Sequence, residues 1–287
     1  MFGLEIDFPA RLARGNSSRV SVITLTTDFG TTDSFVGTMK GVILDRAPRA
    51  RIVDLTHGIA PGDIRAGAFA LLTACRYFPK RTVPVVVVDP GVGSARRAIA
   101  VQTRDYRFVG PDNGVLSWAL AREKVQSLRL IANERLWRKP VSRTFHGRDV
   151  FAPVAAHLAR GGSFHPVGPA LADFTRLPWP AVKDRGGDST GEVLAVDRFG
   201  NAITNIPETC APAGSLDWVV FAGRRRLCPV GACYAAVPRG HAVAVFGSSG
   251  FLEIAVNGGS ALAQLRLYVG SRITLHRATR SAAPVQS

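Results

Sequence analysis

Residues 85–97 read VVVVDPGVGSARR, and this stretch constrains the chain more than any other. Four successive valines leave no polar face, so the strand they form is covered on both sides, as in a parallel, helix-flanked sheet. The run ends abruptly at Asp89-Pro90, after which Gly91 and Gly93 give a backbone turn with no side chains in the way. An acid at the carboxyl end of a buried strand, beside an open glycine turn, is where open α/β sheets place ligand chemistry. Arg96 follows seven residues after the acid, close enough for the turn to carry it back to the carboxylate. Taken alone, the stretch also fits a strand that stops at a surface turn with Asp89 as a turn or cap residue.

The pattern around it is strand–helix alternation. Strands are expected at 21–26, 50–55 and 83–89, helices at about 34–46, 63–77, 115–122 and 149–160, and a hairpin from 99–103 and 106–110. This predicts a mostly parallel α/β domain over 21–175. Residues 176–190 (RLPWPAVKDRGGDST) have linker composition. Beyond them, short strand candidates at 191–196, 217–221, 241–246, 252–256 and 272–276 predict a smaller antiparallel β-barrel domain over 191–276. Residues 1–20 are expected to be a mobile leader and 277–287 a tail.

Composition excludes several classes. No apolar run is long enough to cross a bilayer, and the first 20 residues lack the apolar core and cleavage site of a secretory signal. A cytoplasmic protein is the expectation. Cys75, Cys210, Cys228 and Cys233 suit neither a disulfide framework nor a zinc site and are expected as free thiols. The formal charge of +15 raises nucleic acid as a partner. The basic residues are scattered, though, and do not interleave with aromatics, which argues against a nucleic-acid surface.

Carboxylates end three of the expected parallel strands: Asp28, Asp54 and Asp89. Strand ends on one sheet edge share a crevice, so these acids are candidates for one site. The loop TTDFGTTDSF adds Asp33 and Ser34, polar groups suited to ribose hydroxyls or an ammonium group. Neither GxGxxG nor GxxxxGK[ST] occurs, so capture of a pyrophosphate is disfavoured. There is no metal-ligand spacing and no nucleophile elbow. Among six histidines, His146 in TFHGRD stands immediately before a helix and gains weight if it faces Asp89 and Arg96; otherwise it is a packed or surface residue. In the second domain, DRFGN and FGSSGFLE set aromatics beside hydrogen-bonding groups and glycines. That composition suits a stacked heterocycle with its edge read by amides, or two β-turns with core phenylalanines.

Six segments in order, LTTDFGTTDSFVG, VDPGVGSARRAI, GPDNGVL, TFHGRDVFAP, DRFGNAITN and GSSGFLEIAVNGGSA, span most of the chain. Together they resemble the S-adenosylmethionine hydroxide adenosyltransferases, the adenosine-forming S-adenosylmethionine hydrolases related to fluorinase and chlorinase. The resemblance implies an α/β domain, a C-terminal barrel and a homotrimer with active sites between subunits. It implies a catalytic set of Asp89, Arg96 and His146, with Asp28 on the ribose hydroxyls. Asp33, Asp197 and Ser248 would lie at the methionine portion, and Phe199, Asn201, Glu253, Val256 and Gly258 on the binding surface that includes the adenine side. Three residues depart from the related halogenases: Ser249 stands where they have an arginine, and His146 and Gly147 stand where fluorinase has a tyrosine and a halide-binding serine, with chlorinase also having glycine at the second of these positions. The expected reaction is attack of water on ribose C5′ of S-adenosylmethionine, giving adenosine and methionine with no metal or separate cofactor. The alternatives are halide-dependent substitution on the same substrate and a non-catalytic binding protein.

Overall fold

The computed structural model describes residues 21–211 and 218–277. The expected leader and most of the expected tail lie outside these residues, as does Asp217. Within them the α/β plus barrel architecture is present.

The first sheet has six strands, β1 (Val22–Thr27), β2 (Arg51–Thr56), β3 (Val83–Val87), β4 (Ala98–Thr103), β5 (Arg107–Pro111) and β6 (Val125–Leu130), in the order β2-β1-β3-β5-β4-β6. Strands β2, β1, β3 and β5 pair in parallel, and β4 runs antiparallel to both its neighbours. The valine run sits at the centre, as its composition requires. Val85 and Val87 pack into a core shared with α1 (Phe35–Arg46) and α4 (Ala152–Ala159), through Met39, Ile43 and Val154. Val86 and Val88 point to the opposite face, against Leu71 of α2 (Ile64–Ala74) and Leu120 of α3 (Ser117–Leu120). α2 starts as expected at Asp63, whose side chain accepts from the Ala66 amide at 2.9 Å. The helix expected at 149–160 begins earlier, as a π-turn over Gly147–Phe151 that runs into α4.

The second sheet has eight strands in the order β11-β10-β14-β8-β9-β13-β12, with β7 paired to β8. They are β7 (Lys183–Arg185), β8 (Asp188–Val196), β9 (Ala202–Pro207), β10 (Trp218–Ala222), β11 (Arg225–Pro229), β12 (Ala242–Phe246), β13 (Phe251–Val256) and β14 (Arg272–Arg277). A bridge from Val230 to Ala244 joins the two ends, bringing the sheet nearly to closure. Strands β6, β9 and β11 and the short helix α5 (Ala261–Leu265) add to the elements expected from the sequence pattern. The stretch of linker composition holds β7, because Gly186 and Gly187 take positive φ and turn the chain back into β8. An apolar cluster of Phe69 and Leu72 from α2, Trp118, Leu194 and Phe251 joins the barrel to the α/β sheet. Among the described residues no helix is long and apolar enough to cross a membrane.

Candidate active site

The loop after β3 folds as the glycine turn requires. Two successive turns bond Val92 N to Asp89 O and Ser94 N to Gly91 O, each at 3.1 Å. Gly93 has φ +77°, and a Cβ there would lie 2.2 Å from the Arg143 carbonyl oxygen. Only glycine permits that approach, and it seats the loop against the segment that carries His146. The turns bring Arg96 back onto Asp89: Arg96 Nε donates to both carboxylate oxygens, at 2.9 and 3.0 Å, and Nη2 donates to Oδ2 as well. Arg96 Nη2 also lies 2.9 Å from His146 Nδ1. Its guanidinium stacks 5.3 Å above the ring of the fully buried Phe151.

This geometry decides the tautomer of His146. A guanidinium only donates, so Nδ1 accepts and the ring proton sits on Nε2. Burial and the neighbouring Arg96 charge hold the His146 pKa below its ordinary 6.5, against the opposing pull of Asp89 and Asp149. The imidazole is therefore neutral at pH 7. Behind it, Asp149 is fully buried in the π-turn. Burial raises its pKa, but the Arg148 guanidinium, which donates at 2.6 and 2.8 Å, and the Ser142 amide at 2.8 Å outweigh that and hold it low.

Asp89 and His146 line a cleft of ≈ 520 Å³ together with Asp28, three phenylalanines and Gly147. Asp28, just past the end of β1, accepts the Gly62 amide at 2.8 Å. Asp28 and Asp89 thus share a crevice because β1 and β3 are parallel neighbours. Asp54 does not join them. It pairs with Leu25 in the ladder, well short of the strand end that Asp28 occupies, and it bonds Lys40 at 2.6 Å, with His57 Nε2 at 3.1 Å. Asp33 is exposed and does not line the cleft.

The candidates in the barrel lie elsewhere. Asp197, between β8 and β9, spends its carboxylate on its own turn, accepting from the Phe199 and Asn201 amides and the Asn201 side chain, each at 2.9 Å. Phe199 at the tip is 75% exposed. The turn packs on the segment after β13, where Leu262 N donates to Gly200 O at 2.9 Å, so Phe199 and Asn201 share one end of the barrel with Val256 and Gly258. Ser248 lies at the other end of β13, in the turn from β12, where its carbonyl accepts from Arg76 at 3.2 Å. Glu253 is buried beneath that turn and accepts from Tyr234 Oη at 2.7 Å. None of these residues lines the cleft.

Comparison with known proteins places this arrangement. The model of the SAM hydroxide adenosyltransferase N-terminal domain matches residues 23–168, and that of the C-terminal domain matches residues 191–274. The chain belongs to this family. An (R)-S-adenosyl-L-methionine hydrolase of Thermus thermophilus is 43% identical over 86% of this chain and 96% of its own. One from Salinispora arenicola is 42% identical over 88% and 96%. A fluorinase of Actinoplanes is more distant, 28% identical over 66% of this chain and 72% of its own. A crystal structure of an uncharacterized conserved protein from Thermotoga maritima superposes with a TM-score of 0.84 at 39% identity, covering 89% of this chain and all of the other.

Within this family member, the GPDNG segment has a role that the sequence did not announce. Asn113 Nδ2 donates to the Val88 carbonyl at 2.8 Å, pinning the chain immediately before Asp89. Asp112, buried, accepts from Arg97 at 2.7 Å and from the Thr175 amide at 2.7 Å. The two residues thus clamp the catalytic-loop candidate at both ends. Apart from the place of GPDNGVL among the family-like segments, the signal was a polar Asp-Asn pair directly after an apolar strand, which reads equally well as a turn.

Proposed function

We propose that this chain hydrolyses S-adenosyl-L-methionine to adenosine and L-methionine by attack of water on ribose C5′. The observation that carries this reading is the preformed Asp89–Arg96–His146 chain of hydrogen bonds beside Asp28 in one cleft. The sulfonium is already a good leaving group and needs no proton. The demand falls on the nucleophile, which must be held in line with the C5′–S bond and relieved of a proton. His146 Nε2–H and the Arg96 guanidinium act as donors that hold the water and favour its hydroxide character. With the His146 proton on Nε2 and its Nδ1 engaged, Asp89 is the one member of the set with acceptor capacity for the departing proton. Asp28 takes the ribose hydroxyls. The reaction as written needs no metal or separate cofactor. Relatives at 40–43% identity over most of the chain, named as hydrolases of the (R) form, support both the reaction and a preference for that form here.

We infer further that the active form is a homotrimer in which the barrel of one copy completes the cleft of another. In support, among the described residues the cleft is lined only by those between Asp28 and Gly147, while Phe199 is left exposed. Asp33, Asp197 and Ser248 would then serve the methionine end, and Phe199, Asn201, Glu253, Val256 and Gly258 the rest of the binding surface. A cytoplasmic location accompanies this reading, with all four cysteines free. Water rather than fluoride is favoured at Gly147, where a Cβ would lie 3.1 Å from Met39 Sδ and 3.3 Å from the Phe145 ring, leaving little room for a serine. Reaction in ¹⁸O-labelled water, with and without chloride, tests the proposal. Labelled adenosine is the expected product; 5′-chloroadenosine, or binding of substrate without turnover, overturns it.

A further inference from the structure

Three aromatic rings on the cleft wall, together with an unbalanced carboxylate, point to how the substrate's positive charge is recognised. Phe29, Phe35 and Phe145 all line the cleft, and their centroids are 5.8, 5.8 and 5.2 Å apart in tilted and edge-to-face contacts. Phe29 and Phe145 are backed by the core beneath, whereas Phe35 is 45% exposed. A phenylalanine held open at a cleft, in contact with two others, offers a π-face to a ligand.

The charges around the wall indicate the sign of that ligand. Asp89 is balanced by Arg96, and Arg148, stacked 5.1 Å from the Phe145 ring, is balanced by Asp149. Asp28 has only the Gly62 amide and no ion-pair partner among the described residues. The cleft thus combines one uncompensated negative charge with ring faces whose quadrupoles favour cations. Arg148 already covers Phe145 from one side, so the free faces belong chiefly to Phe35 and Phe29.

We propose that Phe35, supported by Phe29 and Phe145, receives the sulfonium of the substrate by cation–π contact and selects it over the neutral thioether. This inference rests on the hydrolysis proposed above. A sulfonium carries its charge on methyl and methylene groups and is weakly hydrated, which suits an aromatic wall better than a carboxylate alone. The contact has a specific kinetic consequence. The positive charge vanishes as the C5′–S bond breaks, so the wall stabilises bound substrate more than the transition state. Phe35 therefore contributes affinity and selectivity, not rate.

The test compares KM and kcat for S-adenosylmethionine with Ki for S-adenosyl-L-homocysteine in the wild type, Phe35→Leu and Phe35→Tyr. In Phe35→Leu, KM is expected to rise about tenfold, within the roughly 2- to 30-fold span of cation–π contacts. The thioether Ki should stay within about twofold and kcat should not fall, since an apolar side chain still fills the space. Phe35→Tyr retains a π-face and should keep the wild-type KM. Equal weakening of sulfonium and thioether in Phe35→Leu makes the ring an apolar contact only and overturns the proposal, as does no change in either. Wild-type protein that forms no adenosine overturns the hydrolase reading instead. Wild-type protein that hydrolyses substrate yet binds the thioether equally well overturns the aromatic wall alone.

Discussion

The two halves of this molecule hold their candidate groups in opposite ways. In the α/β half, Asp89, Arg96 and His146 are already joined by hydrogen bonds, and Asp89 and His146 line one cleft. In the barrel, Asp197 and Asn201 satisfy each other within the turn from β8 to β9, Ser248 sits at the opposite end of the barrel in the turn from β12 to β13, and Phe199 projects outward. The candidate catalytic groups are thus preorganised inside one chain, whereas the candidates in the barrel are dispersed and none of them lines that chain's own cleft. Reaction geometry tolerates little displacement, so it is built on a strand end braced by buried neighbours. Recognition of a large substrate can be shared between copies.

The sharpest way to break the contrast is at Asp89. Asp89→Asn keeps the shape but removes the acceptor and the charge that holds Arg96, so kcat should fall by roughly 10²–10⁴, with a smaller change in KM. A variant within a few-fold of wild type would return Asp89 to an ordinary turn residue. The next test addresses the sharing of sites. Asp89→Asn and Phe199→Ala/Asn201→Ala proteins, each nearly inactive, should regain about a quarter of wild-type activity when co-assembled in equal amounts, because one site in four pairs an intact cleft with an intact barrel. No recovery in confirmed mixed oligomers, or an active monomer by light scattering, removes the shared site.

A smaller effect is expected from pH. Burial and the Arg96 charge lower the His146 pKa from its ordinary 6.5, so the acid limb of kcat should have its midpoint below pH 6.5, where protonation sets an imidazolium against Arg96. The same depressed pKa means that its contribution to stability is present above about pH 6.5 and is lost as pH falls through the folded-state value. His146→Asn should abolish that acid limb of the kcat profile while retaining substrate binding; an acid limb with its midpoint above pH 6.5 contradicts the Arg96–Nδ1 assignment. The smallest effect belongs to Gly147→Ser. The hydroxymethyl group must displace Met39 or Phe145 by a few tenths of an ångström, which should reduce kcat a few-fold without producing chloroadenosine. Chlorinated product from this variant would show that a single side chain separates water from halide.

The same contrast governs how much was legible beforehand. The valine run announced a central strand buried on both faces, since no other sheet position tolerates it, and the glycine turn announced the return of Arg96 to Asp89. Both are local consequences of side-chain polarity and backbone freedom. The acids Asp28, Asp54 and Asp89 looked equivalent, yet ladder register placed Asp54 against Leu25 and away from the cleft. Strands β9 and β11 carry too little continuous apolar sequence to stand out, and they exist because neighbouring strands satisfy their backbones.

By itself, then, the sequence determined the alternation of elements, the central strand and the loop that carries the acid, because these follow from interactions within a few residues. Tertiary structure alone decided that His146 joins the Asp89–Arg96 pair and presents a protonated Nε2, and that Asn113 and Asp112 clamp the loop. Those outcomes depend on contacts between residues 15 to 50 positions apart. Such contacts are set by strand order and register, and no local pattern encodes either one.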